Sequence, residues 1–359
     1  MCLILDIYPL IFLHVNDGKT YKSLLYASKT FHNIMTTYYS HKRYQLYNQL
    51  WSLVKKLPDK HWNFLSLSGN ASTTMQFIKD NPQYPWDNLH ISKNPNLTID
   101  IASNIERGWS YISGNPAITM DMIENNPSLS WNWNFVASNP NLTLEYLINH
   151  PREWSFIHMS YNKALTIETI KYYPDKPWNF NIISEHVNIT MDMIKNNPQF
   201  PWNYGNMSLN PNLTIEIIKD NMEKNWNWHC ISKNSAITMN MIEDNPTFPW
   251  SWIGISNNPN LTIEMIKNHL DKEWDFSGIS SNKALTQEIM HKYHDKLCWI
   301  SVSCNEAITM EMVEKNPQYP WYYHALSSNS NLTMDYVLNN LDKEWDWNRI
   351  SDNEMTINS

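Results

Sequence analysis

Apolar and polar residues alternate along this chain with a long period of about 24 residues, set by recurring tryptophans. One copy of the period, from Trp250 to Trp274, reads WSWIGISNNPNLTIEMIKNHLDKEW, and the copy from Trp202 to Trp226 reads WNYGNMSLNPNLTIEIIKDNMEKNW. Tryptophans recur at positions 62, 86, 109, 131, 154, 178, 202, 226, 250, 274, 299, 321 and 345, in steps of 22 to 25 residues. Self-similarity at such a period is the signature of a repeat array, here with thirteen copies.

The second half of each copy predicts a short α-helix. A threonine, such as Thr214 or Thr262, fits the N-cap position, where its hydroxyl accepts a hydrogen bond from an amide of the first turn. An acidic residue commonly follows two positions later and complements the helix dipole, as Glu264 does. Apolar residues one, three and four positions after the threonine share one helical face, and an Asn-Pro or Asp-Lys segment ends the helix. Each helix has about two turns and needs neighbours for stability.

The first half of each copy is too short for a second long helix and predicts a 3₁₀ or α turn. Its tryptophan, as in Trp202 and Trp250, and a following isoleucine are expected to fill the gap between successive helices. An asparagine four residues before the threonine, as in Asn210 and Asn258, precedes proline and is held out of the α region. We expect its side chain to cap turn amides and to form a ladder along the array, with His186 in place of asparagine in one copy.

These patterns predict an all-α solenoid of about thirteen 24-residue repeats over residues 62–359, in which an α-helix alternates with a short 3₁₀ or α turn. Thirteen units at helix-packing distances predict a rod or arc on the order of 100 Å long. The shorter copies at Trp109 and Trp299 are expected to perturb the array, and the incomplete final copy at Thr356 is expected to act as a cap. A β-lined horseshoe of true leucine-rich repeats is the alternative.

The segment NPNLTIEMIKN, with Ile-Ser before it and an Asn or Pro break after it, resembles the leucine-rich repeat variant. That resemblance covers roughly residues 62–359 and implies a right-handed superhelix of alternating α and 3₁₀ helices. The chain departs from the family pattern because threonine takes the place of the cap-region proline and tryptophan precedes the short turn.

Residues 1–40 lack the repeat and predict two short helices around the Asn16–Gly18 turn, followed by a connecting helix at residues 41–61. This segment resembles an F-box, above all in Ala27-Ser28-Lys29-Thr30-Phe31. The resemblance implies that an apolar face binds a Skp1-type adaptor through Leu5, Ile7, Leu10, Ile11, Val15, Leu24, Leu25 and Phe31. The alternative is a helical cap that shields the first repeat.

Composition and charge limit the classes of binding partner that we expect for this chain. The formal net charge of −8 and the pI of about 5.9 disfavour nucleic acid and anionic membrane as main partners. The four cysteines form no CxxC pair, and no apolar run is long enough to span a membrane, so we expect a monomer in the cytoplasm. An F-box-like start on an array rich in Asn, Ile and Lys also resembles proteins of large DNA viruses, which would place the chain in the host cytoplasm.

No nucleotide-binding, hydrolase or zinc motif is present in the sequence. His291 and His294 lie near Cys298, but no second pair of ligands completes a metal site. The acidic residues that follow the cap threonines form a row along the array, which we call the acidic row, and their place in the first helical turn explains them. We therefore expect no catalytic residue, metal or cofactor. The leading hypothesis is a non-enzymatic interaction scaffold of the F-box type, which recruits an unknown target protein to a ubiquitin ligase. The alternative is a purely structural or binding repeat protein. Partner choice is expected to depend on variable pairs such as Leu89-His90, Ile157-His158 and His324-Ala325.

Overall fold

The computed structural model describes residues 50–353, and this part of the chain consists of short α-helices with no strand. The helices alternate between two kinds, which we call the first and the second helix of a unit, and units are numbered 1 to 13 in chain order. The all-α repeat solenoid is thus confirmed, and the short turn of each copy is α-helical. No helix among these residues is long and apolar enough to cross a membrane.

The first helices of units 1 to 13 are Phe64–Gly69, Asn88–Ile91, Trp109–Gly114, Trp133–Ala137, Phe156–Met159, Phe180–Glu185, Tyr204–Met207, Trp228–Lys233, Trp252–Ser256, Phe276–Ser281, Trp299–Cys304, Tyr323–Leu326 and Trp347–Asp352. The second helices of units 1 to 12 are Met75–Asp80, Ile99–Ala102, Met120–Asn125, Leu144–Asn149, Ile167–Tyr172, Met191–Lys195, Ile215–Lys219, Met239–Glu243, Ile263–Asn268, Gln287–Lys292, Met310–Lys315 and Met334–Asn339. Residues 50–56 form one further helix.

Threonine caps the second helices, as the sequence pattern predicts. The Thr214 and Thr262 hydroxyls each accept a hydrogen bond from the amide three residues later. Thr98 makes no such bond. Its hydroxyl hydrogen-bonds the Asp100 carboxylate instead. The hydrogen bond from Lys79, which has the larger effect, and that from Thr98 lower the pKa of Asp100 to about 2. Because the Thr98 hydroxyl is bound to Asp100, it does not cap its own helix. Ile99–Ala102 is therefore the one second helix of units 1 to 12 that lacks a threonine side-chain cap.

The two shorter copies differ from the other copies in register. Trp109 and Trp299 do not precede the first helix by two residues but are its first residues. Unit 3 accommodates its shorter connection with Gly108, which has a φ of 105°. A Cβ atom at Gly108 would lie 2.9 Å from the Ser92 Oγ, so both the backbone conformation and the space require glycine.

The core lies between the first and second helices. The isoleucine of the first helix is fully buried, as at Ile231 and Ile255. Most of the repeat tryptophans pack edge-on against the aromatic residue that begins the preceding first helix, with ring centroids 5.1 Å apart for Trp226 and Tyr204. The indole of Trp226 also donates to the carbonyl oxygen of Asn221, just after the preceding second helix, over 2.8 Å. The tryptophan therefore joins one unit to the next, as predicted.

A buried asparagine at every joint between units except that of His186 forms the predicted ladder. The Asn258 Nδ2 donates to the carbonyl oxygens of Ser232, Asn234 and Ile237 in the preceding unit, over 2.8, 3.1 and 3.0 Å. Its Oδ1 accepts from the amide of Asn260 at 2.8 Å. Because these turns are inaccessible to water, the asparagine satisfies backbone groups that would otherwise be left without partners.

A buried serine two residues before the asparagine provides a second bridge. The Ser208 Oγ donates to the Tyr204 carbonyl in its own helix at 3.0 Å and accepts from the Asn227 amide of the next unit at 3.0 Å. Unit 4 carries Ala137 in this place and lacks the side-chain hydroxyl.

The two ends of the array meet and form a joint of the same kind. The Ser351 Oγ of unit 13 accepts from the Asn63 amide at the start of unit 1, over 3.0 Å. The Asn70 Nδ2 of unit 1 donates to the Ser351 carbonyl at 3.0 Å, and the rings of Trp62 and Trp347 pack edge-on at 5.2 Å. The array is therefore a closed ring in which unit 13 precedes unit 1, just as unit 7 precedes unit 8.

Residues 50–56 supply the second helix of unit 13. The Trp62 indole donates to the Leu57 carbonyl, five residues earlier, at 2.8 Å, as the Trp86 indole does to the Asn81 carbonyl at the end of the second helix of unit 1. Trp51 is buried and stacks on Phe77 of that second helix, with ring centroids 4.3 Å apart. The thirteenth unit is therefore composite, since the two halves come from opposite ends of the described chain.

This closure corrects two expectations. The rod or open arc is wrong, because a turn of about 28° at each of thirteen similar joints brings the last unit back to the first. Residues 50–56, which the sequence analysis assigns to a connecting helix, belong to the ring. They stand where the helix missing from the final copy is expected, whereas Thr356 itself lies outside the described residues.

Replacing Asn70 tests the closure against a matched internal joint. Asn70 and Asn234 are similarly buried, each donates to two carbonyls of the preceding unit, and each accepts from the amide two residues on. Loss of either side chain leaves buried carbonyls without partners, so we expect Asn70→Ala and Asn234→Ala each to lower the free energy of unfolding by about 2 kcal/mol. Urea denaturation measures both. A cost for Asn70→Ala below half that of Asn234→Ala would show that the ring is open in solution.

His186 offers a test of the ladder. Its Nε2 lies 2.9 Å from the Asn162 carbonyl and its Nδ1 accepts from the Asn188 amide at 3.2 Å, so the neutral ring reproduces only part of the asparagine pattern. We expect His186→Asn to restore the missing bonds and to raise the free energy of unfolding by about 1 kcal/mol. The control is His186→Ala, which should lower it. Thermal unfolding that ranks His above Asn would contradict this account.

Candidate interaction surface

The first helices line the inner side of the ring. Neighbouring first helices contact each other closely in most units, including the pair that closes the ring, whereas neighbouring second helices lie further apart. In a closed ring, the layer with the smaller spacing between units has the smaller radius. At a typical packing distance of about 9 Å, thirteen helix axes lie on a circle roughly 37 Å in diameter.

Three positions of each first helix face away from the core and therefore toward the centre of the ring. They lie three, four and seven residues after the tryptophan position, which puts them on one helical face. We call them the inner positions. In unit 9 they are Ile253, Gly254 and Asn257, and Ile253 is 51% exposed. Gly254 lies in the joint, where a Cβ atom would come within 2.7 Å of the His229 carbonyl oxygen.

The variable pairs that the sequence analysis singles out fall on these positions. Leu89 and Ile157 are 41% and 52% exposed, and His324 is exposed as well. The second member of each pair is less accessible, because it sits against the neighbouring unit. Ala325 is buried, so the expectation that it is a surface residue is wrong.

Units 1 to 5 place a large apolar side chain on the inner side in every unit. We call this set the apolar arc, which comprises Leu65, Leu89, Tyr111, Phe135, Ile157 and Tyr161. Leu65 and Tyr161 at its two ends are 51% and 55% exposed. The inner positions of unit 6 include the charged residue Glu185. Units 8, 10, 12 and 13 have no large exposed apolar side chain at their inner positions. The apolar arc therefore occupies one side of the ring.

Lys93 is the one lysine or arginine among the inner positions of units 1 to 5, and no aspartate or glutamate stands there. Its Nζ lies 4.3 Å from the centre of the Tyr111 ring, within reach of a cation–π interaction. In the same unit, the His90 Nδ1 is 2.6 Å from the Asp87 Oδ1, and this hydrogen bond is the main cause that lowers the pKa of Asp87. The arc thus combines apolar side chains with one accessible cation.

The outer layer carries the acidic row, and several of its members pair with lysines. The Lys267 Nζ lies 2.7 Å from the Glu288 carboxylate of the next unit and 3.1 Å from Glu264 of its own helix. These hydrogen bonds, that to Glu288 first, raise the pKa of Lys267. Exposed pairs of this kind contribute little to stability. Because these acids are already paired, the outer row presents less free charge than the sequence suggests.

Two clefts on the ring are lined by equivalent residues of different units. A cleft of about 540 Å³ contains Phe200, Trp202 and Lys224, and a cleft of about 420 Å³ contains the equivalent Phe248 and Trp250. They follow from the repeat, since the two sets are 48 residues apart. Between residues 50 and 353, no group of three or more His, Cys, Asp or Glu side chains is placed to hold a metal ion.

The residues implied by the F-box resemblance, from Leu5 to Phe31, lie outside the described residues, so their role stays a prediction. The repeat residues named from the sequence lie in the joints and caps. Trp202, Asn210, Trp250 and Asn258 bond to the preceding unit, and Thr214 and Thr262 cap the second helices of their own units. The sequence did not point to the serine bridge or to the three inner positions as a surface. The recurrence of the serine in every unit but unit 4 and the variation of its neighbours were the available signals.

No protein-family model, curated protein or solved structure matches this chain. The resemblances to the F-box and to the leucine-rich repeat variant therefore depend on the residues quoted for them alone.

Proposed function

We propose that this protein is a non-enzymatic protein-interaction scaffold. The ring presents a partner-binding surface on its inner side, and the N-terminal segment binds a Skp1-type adaptor. In this arrangement the ring is the substrate receptor of a ubiquitin ligase, and it acts in the cytoplasm of the cell or, for a viral protein, of the host.

The separation of constant from variable positions carries the proposal. Positions whose residue type changes little between units, such as Asn258, Ser256 and Ile255, are fully buried in the joints and the core. The inner positions differ from unit to unit and include exposed apolar side chains such as Ile157. Single exposed apolar residues are common on protein surfaces, but a contiguous set of them, as in units 1 to 5, is typical of an interaction surface. The surface therefore supports binding of a specific protein partner.

A second candidate is a structural or binding ring with no link to ubiquitin. One observation favours it. Residues 50–56 continue directly from the N-terminal segment and complete unit 13, so this side of the chain already has a role in closing the ring. In this alternative the preceding residues serve the closure as a cap and bind no adaptor.

Binding of a purified Skp1-type adaptor separates the two candidates. We expect the full chain to bind the adaptor in isothermal titration calorimetry. The double variant Ile11→Asp/Leu25→Asp should weaken binding at least about 100-fold, because it places two charges on the apolar face implied by the resemblance.

The matched control is Ile253→Asp/Ile300→Asp, which places the same two charges on exposed inner positions of the ring. It should leave adaptor affinity unchanged. Absence of adaptor binding by the full chain, or equal binding by the Ile11→Asp/Leu25→Asp variant, would overturn the receptor function in favour of the structural ring.

A further inference from the structure

We propose that the joint between units 5 and 6 is an acid-sensitive joint, which opens locally when His186 takes up a proton. His186 stands at the position that asparagine occupies in each of the other twelve units. The inference goes beyond the scaffold function, and it holds or fails independently of any partner.

The two ring nitrogens of His186 have opposite roles in hydrogen bonding. The Nδ1 accepts from the Asn188 amide at 3.2 Å. In the neutral ring the Nε2 therefore carries the hydrogen, and it donates to the Asn162 carbonyl oxygen at 2.9 Å. A second proton can be added only at Nδ1, where it would face the N–H of Asn188. Protonation thus breaks one bond of this joint, whereas the asparagine of the other joints does not titrate.

Burial makes the extra proton costly in the closed joint. His186 is 9% exposed, and both partners of its ring are backbone groups. A protonated imidazole there is a buried charge without a paired carboxylate, which is unfavourable in a protein interior. Opening the joint gives water access to the ring, so acidification favours the open joint.

The charged groups around His186 do not compensate the added charge. Glu185, the neighbouring acid in the chain, accepts from the Asn206 side-chain amide of unit 7 at 3.4 Å. The titratable residues in the first helices, the turns and the first turns of the second helices around His186 are His158, Tyr161, Lys163 and Glu168 of unit 5, Glu185 and Asp192 of unit 6, and Tyr204 and Glu216 of unit 7. None of these side chains bonds to the imidazole, whose two partners are backbone groups.

Two other histidines at joints respond to acid in the opposite direction. The His150 Nε2 lies 2.6 Å from the Glu124 carboxylate of the preceding unit, and the His269 Nε2 lies 3.8 Å from that of Glu243. Both histidines are partly exposed, and protonation adds attraction to the facing carboxylate. Because these effects oppose that of His186, the stability of the whole ring does not isolate it, and the measurement has to be local.

The direction and the size of the effect follow from proton linkage. In an open joint a solvated histidine titrates near pH 6.5 or so. The open form then binds more protons than the closed form as the pH falls below about 6.5, so the closed form loses stability. Between pH 7.5 and pH 5.5 we expect the equilibrium constant for local opening to rise about tenfold.

The place of this joint on the ring gives its opening a consequence. Unit 5 contains Tyr161, the last member of the apolar arc, and unit 6 carries Glu185 at its inner positions. Opening between these units changes the inner surface at one end of the arc and leaves the joints within units 1 to 5 as they are. The ring thus has two forms that differ beside the apolar arc.

Hydrogen exchange tests the proposal on the full-length protein. The Asn188 amide reports on the joint of His186, and the Asn331 amide makes the equivalent bond to the Asn329 Oδ1 in unit 12, over 2.8 Å. Protection is corrected for the intrinsic exchange rate at each pH. We expect protection at Asn188 to fall about tenfold from pH 7.5 to pH 5.5, and protection at Asn331 to change less than twofold.

Three variants assign the effect to one residue. In His186→Asn, protection at Asn188 should become independent of pH. In the double variant His186→Asn/Asn329→His, the pH dependence should appear at Asn331 instead. The control His229→Asn removes an exposed histidine from an inner position and should leave the pH dependence at Asn188 unchanged. Thermal unfolding at pH 7.5 checks that each variant is folded.

The inference is wrong if protection at Asn188 is the same at both pH values, or if it falls equally at Asn188 and Asn331. It is also wrong if His186→Asn keeps the pH dependence at Asn188. A double variant that stays folded without pH dependence at Asn331 contradicts it as well, and the single variant decides alone if the double variant does not fold. Adaptor binding enters none of these results, so failure here leaves the proposed function as it stands.

Discussion

The buried asparagine at each joint is the interaction on which the rest of this structure depends. Every unit turns sharply between its two short helices, and that turn is covered by the next unit, so its carbonyl groups have no access to water. One amide side chain satisfies several of them at once, as Asn258 does for three carbonyls of the preceding unit. Because hydrogen bonds impose distances near 3 Å, the asparagine also fixes how far apart and at what angle two units sit.

The ring follows from applying one joint thirteen times. An open solenoid has two end units whose apolar faces need a cap, whereas a closed ring has none. Here the end units satisfy each other: the Ser351 hydroxyl accepts from the Asn63 amide, and residues 50–56 supply the second helix of unit 13. The Lys60 ammonium lies 5.3 Å from the Trp347 ring, much as Lys224 lies 5.7 Å from the Tyr204 ring at an internal joint. Closure thus needs no new kind of contact.

In the proposed function, binding depends on the positions that the joints leave free. Each unit commits its tryptophan, isoleucine, serine, asparagine and threonine to packing and capping, and these residues tolerate little change. The first inner position of each unit carries no such duty, since Ile253, Gly205 and Ser277 all occupy it. A surface that varies on a constant frame can acquire a binding preference without a cost to folding. Among the described residues, exposed apolar side chains at the inner positions are most continuous in units 1 to 5.

The sequence by itself determined the repeat, the capped second helix and the asparagine ladder, because these depend on contacts within a unit or between adjacent units, and the same residues recur in each copy. It misplaced Trp109 and Trp299 by two residues, since a tryptophan can stand either before the first helix or at its start. Only the tertiary structure decided that the array closes. Closure depends on a rotation of some tens of degrees per joint, a small quantity that no residue type encodes and that becomes visible only when thirteen joints add up. The same closure decided which helices face inward, and so brought Leu65, nearly a hundred residues before Tyr161, onto one continuous surface with it.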